Sequence, residues 1–151
     1  MLAGGVLGLD LARSYGWAYL DPQGRYVASD HRHLDGKLGE KSHHLHLSIA
    51  DLVTRYSPDW VAVEQPHSPH YGAARTLFAY AAIAALVAHV RECGYVELGR
   101  AECCKAVLGA GRISKEDGIH YCQRFKPSLT SDDEADAILV ALTAHQRREH
   151  K

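Results

Sequence analysis

The sequence predicts an α/β domain built on a five-stranded mixed sheet flanked by helices. Three observations carry this. A run of short apolar segments between residues 5 and 34 is joined by tight connections, as in an antiparallel meander. Long stretches with helical spacing then alternate with two compact apolar strands, which is the pattern of parallel pairing. And 151 residues suffice for one domain with a proper core.

In order, residues 5–12 read as a first strand, apolar throughout except for Asp10. Residues 15–21 read as a second. Pro22, Gln23 and Gly24 form a hairpin turn signal, and a third strand follows over residues 25–34. Leu45, Ile49, Leu52, Val53 and Tyr56 recur at helical spacing, so residues 40–56 form an amphipathic helix, ended by Ser57-Pro58-Asp59. Trp60 to Val63 is a compact strand that leads directly into Glu64. A loop over residues 65–71 precedes a long helix over residues 72–93, so apolar that it is either central or part of a dimer interface. A short last strand covers residues 95–98. A short helix covers residues 100–108, and Gly109-Ala110-Gly111 breaks it. Another helix starts near Ser114. The final helix runs over residues 131–148, with Ala135, Ile138, Leu139 and Leu142 as its apolar stripe.

The formal net charge of −1 supplies no global basic field, so any nucleic-acid surface must be local. Residues 100–126 hold six basic residues, Arg100, Lys105, Arg112, Lys115, Arg124 and Lys126, against Glu102, Glu116 and Asp117. Cys93, Cys103, Cys104 and Cys122 show no CxxC spacing, and a reduced cytoplasmic compartment fits best. No signal peptide is expected. The charge-free stretch 76–90 is shorter than a membrane span, so no membrane is expected.

Asp10 lies in a strand that should be buried on both faces. Burying an unpaired charge costs several kcal/mol, roughly, even after relaxation. It needs a cation, either a base such as Arg13 or a metal shared with other acids. Glu64 ends a core strand, at the carboxyl edge where α/β sheets collect their sites, although a solvent-facing acid would also end a strand there. The last helix opens with Ser131-Asp132-Asp133-Glu134, in which Ser131 and Glu134 have capping-box spacing. Asp132 suits the helix dipole. Asp133 and Asp136 are three apart and share a face beside the apolar stripe. Crowded carboxylates on a rigid face are what a divalent cation requires. Asp10, Glu64, Asp133 and Asp136 together read as a cluster able to hold two metals and hydrolyse a phosphodiester. Gly109-Ala110-Gly111-Arg112 before a helix start suits a phosphate. His31, His33, His43, His44 and His46 lack ligand spacing and read as surface residues. Arg147, Arg148 and Lys151 read as a solvated, frayed end.

These residues resemble the RuvC family of Holliday-junction resolvases, within the RNase H-like superfamily. The resemblance spans nearly the whole chain. Gly8-Leu9-Asp10 with Gly16-Trp17 matches the opening segment, and Glu64-Gln65 matches the second acid. Gly109, Gly111 and Lys115 match the downstream glycine–lysine segment, and Asp133, Asp136 and Ala137 match the final helix. The resemblance implies an RNase H-like fold and one nuclease domain over residues 1–151. It implies Mg²⁺-dependent paired nicking of four-way DNA junctions by a homodimer, two ions per site with Mn²⁺ able to substitute, and ligatable 5′-phosphate and 3′-hydroxyl ends. Lys115, with Arg112 and Lys105, would hold the DNA backbone, although the segment from Lys105 to Gly109 is one residue short of the family pattern. Where the family often carries an aromatic three residues after its second acid, this chain has His67, with His70 and Tyr71 following as candidates to stack on a base. The compact, weakly charged chain looks more like a phage-type homologue than a cellular one. Rival readings are a branched-DNA nuclease acting on flaps and forks, and a junction-binding protein without catalysis. An actin-like ATPase or sugar kinase shares the opening motif but needs two lobes.

Overall fold

The computed structural model describes residues 4–149. Strands β1 (Val6–Asp10), β2 (Ser14–Leu20) and β3 (Tyr26–His33) form the antiparallel meander. β1 then pairs parallel with β4 (Trp60–Glu64), and β4 with β5 (Gly94–Leu98), giving the order β3-β2-β1-β4-β5. The β2–β3 turn is held by its own residues. Asp21 Oδ1 accepts from the Gln23 and Arg25 amides at 3.0 and 2.9 Å, and Gly24 supplies the left-handed φ of 78°. β1 stops at Asp10, short of the expected residue 12, because the chain turns over residues 11–13 into β2.

The period-two alternation of the buried strands divides the core into two layers. Leu7 and Leu9 of β1, Val61 and Val63 of β4 and Trp17 of β2 face α1 (Leu38–Tyr56) and α2 (Tyr71–Val90). Val6, Ala18, Leu20, Ala62 and Leu98 face α5 (Asp132–Glu149), with α3 (Arg100–Leu108) and α4 (Lys115–Cys122) packed beside it. α1 begins two residues earlier than its apolar stripe suggests, because Glu40 reaches back to accept from the Lys37 amide at 2.7 Å. α2 ends at Val90, not residue 93, where Arg91 leaves the helix and Glu92 takes a φ of 57°.

α2 requires a correction. Although its charge-free stretch 76–90 is short, the whole helix spans 20 residues with a mean hydropathy of 1.6, the length and composition of a membrane span. Its Tyr80, Ala81, Ala84, Val87 and Ala88 are nonetheless buried against the sheet and α1. The opposite stripe, Tyr71, Phe78, Leu86 and Val90, is solvent-exposed.

α5 is the element that sets the site. At Gly8 and Gly16 its backbone comes directly against β1 and β2, because neither residue has a side chain to hold it off. A Cβ on Gly8 would fall 2.4 Å from the Ala137 carbonyl oxygen, and one on Gly16 would fall 2.1 Å from that of Asp133. The two motif glycines are therefore seats for the helix. The far end of α5 is anchored rather than frayed. Arg148 donates to Asp59 at 2.6 Å and to the Gly4 carbonyl at 2.8 Å, and Arg147 pairs with Glu102. Lys151 lies outside the described residues.

Candidate active site

Asp10 ends β1 and Glu64 ends β4. The parallel register pairs Leu9 with Val63, so both acids lie at the same edge of the sheet. Both share the face of Val6 and Ala62, which is the face that α5 covers. The glycine seats bring the first turns of α5 against that edge. As a result, carboxylate oxygens of Asp10, Glu64 and Asp136 all lie within 4.8 Å of one another. Asp133 adjoins them, with Asp10 and Ser14 beside its carboxylate. All four acids line one hollow of about 670 Å³, with Gln65, His67, Leu77, Arg100, Lys115 and Asp132 also on its wall. Arg13, the alternative partner for Asp10, is exposed.

Burial and mutual repulsion push every one of these acids toward the neutral form. Asp10 is raised well above the usual carboxylate range, by burial first and then by Glu64, Asp136 and Asp133. Glu64 is pushed up to about 7 by burial and Asp136, despite the opposing pull of Arg100. Asp133 and Asp136 are also raised, burial being the main cause. Asp132 behaves oppositely. Lys115 bonds it at 2.6 Å and holds its carboxyl below the ordinary value. Four hard oxygen donors that resist ionising next to one another can be discharged by protons or by a divalent cation. Ligands around one Mg²⁺ lie roughly 3–4 Å apart, so the Asp10–Glu64–Asp136 group fits such an ion.

The basic residues divide. Lys115 is at the rim of the hollow through Asp132. Arg112 lines an adjoining hollow of about 510 Å³ together with Arg100, Gly111 and Ser114. His67 is on the wall of the main hollow. Tyr71, 84% exposed at the start of α2, is not among its lining residues. Lys105 is also elsewhere, exposed on α3 and absent from both hollows.

Two residues have roles that the sequence did not reveal. Arg100, the first residue of α3, donates Nη1 to Asp136 Oδ2 inside the acid cluster. The sequence offered only its place in a basic stretch. Glu134 is not the exposed half of a capping box. The Ser131 hydroxyl does accept from the Glu134 amide at 3.2 Å, so that half of the box forms. The Glu134 carboxylate instead turns inward, 2% exposed, to accept from Ser29 Oγ at 2.6 Å and Lys126 Nζ at 2.7 Å. It ties α5 to β3. Asp30 and His31 come close enough to complete a three-residue group with it. The Lys126 ammonium already occupies Glu134, so this group is a polar lock between elements. His33, His43, His44 and His46 are exposed.

Comparison with known proteins completes the description. A family model described as crossover junction endodeoxyribonuclease RuvC matches residues 8–145. A protein of that name from Gluconacetobacter diazotrophicus is 34% identical over 94% of this chain and 90% of its own length. Another from Ruegeria pomeroyi is 31% identical over 91% of this chain and 88% of its own. Both organisms are bacteria, so the phage-type expectation gains no support. Among solved structures, Thermus thermophilus RuvC superposes with a TM-score of 0.81 at 19% identity, covering 96% of each chain. The same protein in complex with a Holliday junction substrate superposes at 0.80, also at 19% identity, covering 95% of this chain and 94% of that one. At that identity these two matches bear on the fold, which is RNase H-like as expected.

Proposed function

The chain belongs to the RuvC family of crossover junction endodeoxyribonucleases, and on that premise we propose that it resolves Holliday junctions by metal-dependent phosphodiester hydrolysis with Asp10, Glu64, Asp133 and Asp136 as its cleavage centre. The observation that carries this reading is the convergence of Asp10, Glu64 and Asp136 within 4.8 Å, on two adjacent strand ends and one helix. Asp10, at the end of the central strand, would hold the metal together with Glu64 and the two α5 acids. Two Mg²⁺ ions, or Mn²⁺ in their place, would supply the charge that activates water and stabilises the leaving oxygen. The protein's part is to hold four carboxylates on rigid elements and to align the backbone. Lys115 at the rim and Arg112 in the adjoining hollow are suited to phosphates on either side of the cut. His67 is on the wall where a junction base could stack, with Tyr71 available farther out. Lys105 would meet DNA only outside the two hollows. We assign one nuclease domain to the chain and, because its four cysteines are free thiols, a reducing cytoplasm.

A four-way junction offers two equivalent strands, and paired nicking calls for two sites. The exposed Phe78, Leu86 and Val90 of α2 support a two-fold homodimer through that helix. Leu86→Asp should convert the dimer to a monomer by light scattering and reduce paired nicks to single ones.

The deciding experiment incubates the purified protein with a synthetic four-way junction and Mg²⁺. We expect symmetric nicks in opposing strands, sealed by ligase, and none with Asp10→Asn, which should still bind. Cutting of flaps and forks with the junction left intact would shift the reading to relaxed branched-DNA cleavage. Binding without cleavage of any branched DNA would overturn the nuclease reading.

A further inference from the structure

Arg100 is the basic side chain placed directly on the acid cluster. Lys115, the other cation on the wall of the hollow, is bonded to Asp132. Arg100 bonds Asp136, and its charge also lowers the proton affinity of Glu64. It lines both the main hollow and the adjoining one that holds Arg112. Its side chain therefore forms part of the wall between the acids and the next basic residue. It is 34% exposed, so it is neither locked in the core nor free in solvent.

The position follows from α3. Gly99 caps that helix with an extended backbone, and Arg100 is its first residue, immediately after β5. Residues on a helix advance about 100° each, so Lys105 lies roughly 140° around α3 from Arg100. The buried Cys104, one turn after Arg100, feels the charges of Asp136 and Glu64 and marks the face that looks at the site. Of the two basic residues on α3, Arg100 is the one on that face.

Three carboxylates so close cannot all stay charged without a counter-ion. A guanidinium supplies one positive charge, and a divalent cation supplies two with shorter contacts. The two compete for Asp136. A guanidinium that loses its carboxylate there stays tethered at the edge of the hollow, with five N–H donors in a planar fork suited to phosphate oxygens.

We propose that Arg100 is a partner-switching catalytic residue: it neutralises Asp136 in the metal-free protein and, once a divalent cation satisfies that carboxylate, turns its guanidinium to a non-bridging oxygen of the scissile phosphate. This rests on the nuclease reading above. In the metal-free state Arg100 pairs with Asp136 and orients its carboxyl group. In the loaded state it stabilises charge that grows on the phosphate during cleavage, which a preorganised cation does efficiently. Asp136 serves as the switch because it is the shared partner.

The test compares wild type with Arg100→Ala and Arg100→Lys. Calorimetric titration of Mn²⁺ into DNA-free protein should show Arg100→Ala binding the ion about tenfold more tightly, since its competitor is gone. Junction binding in Ca²⁺ should lose roughly one counter-ion from its salt dependence. Single-turnover cleavage at saturating Mg²⁺ should fall about a hundredfold, with partial recovery in Arg100→Lys. Unchanged or weaker Mn²⁺ binding by Arg100→Ala would overturn the counter-ion half. Wild-type cleavage by Arg100→Ala would overturn the phosphate half. If the alanine variant does not fold, Arg100→Gln keeps the stem, loses the charge and carries the same expectations. If wild type itself cuts no junction, the nuclease reading fails, and the Mn²⁺ comparison still judges Arg100 on its own.

Discussion

Glu134 allows the sharpest stability prediction. Its carboxylate is 2% exposed and accepts from Ser29 Oγ at 2.6 Å and Lys126 Nζ at 2.7 Å, while Lys126 also donates to the Ser29 carbonyl at 3.2 Å. Glu134→Ala leaves the buried Ser29 hydroxyl without this acceptor and the ammonium without a counter-charge. Removing one member of a fully buried pair costs about 3–5 kcal/mol. The Lys126 side chain is 31% exposed, and solvent screening reduces the figure. The expected loss is about 3 kcal/mol, or roughly 6–12 °C in Tm for a chain of this size. Glu134→Gln keeps the shape and one acceptor and should lose about half as much. A double-mutant cycle with Lys126→Met should return a coupling of roughly 1–2 kcal/mol. Thermal and urea unfolding of wild type, the three single mutants and the double mutant measures all of this. A loss under about 1 kcal/mol for Glu134→Ala, the value of an exposed cap, would refute the lock between α5 and β3.

Three further outcomes concern the acids and the helix that carries them. Glu64 has a folded-state pKa of about 7 against an ordinary 4.5, so between these values the folded protein holds more protons than the unfolded one. Metal-free stability should therefore fall as pH rises from about 4.5 through 7, and Glu64→Gln should flatten that slope in pH-dependent melts. Asp136→Asn removes a carboxylate that burial already disfavours. It should leave metal-free stability unchanged or up to about 1 kcal/mol higher while abolishing Mg²⁺-dependent cleavage. Gly16→Ala puts a methyl 2.1 Å from the Asp133 carbonyl oxygen. It should cost at least about 3 kcal/mol and, by shifting α5, lower cleavage by roughly a hundredfold at temperatures where it remains folded.

The sequence carried the antiparallel meander and the later parallel strands, the long helices and the membership of the acid cluster, because these depend on local periodicity and on carboxylates in places hostile to charge. Asp10 stood out inside an apolar strand, and Asp136 beside an apolar stripe. Partnerships across distant elements were not legible. Arg100 meets Asp136 only because α3 packs beside α5, and its neighbours in sequence resemble any basic stretch. Glu134 has capping-box spacing, and local pattern is silent about Ser29, 105 positions away, as the alternative partner for its carboxylate. Lys105 drew attention by its place in sequence, but its direction from α3 was decided by helix rotation. The C-terminal end of α2 was misjudged because Arg91 and Glu92 offer no local stop signal, and Glu92 takes its left-handed φ only in the folded chain.

Gly8 and Gly16 do more than admit a helix. At these two points α5 rests directly on strand backbone, and that close seat holds the acids of its first turns against those on β1 and β4. A softer scaffold would dissipate that repulsion as motion. This one holds the carboxylates together, each pushed toward its protonated form, so a cation that binds there must displace protons.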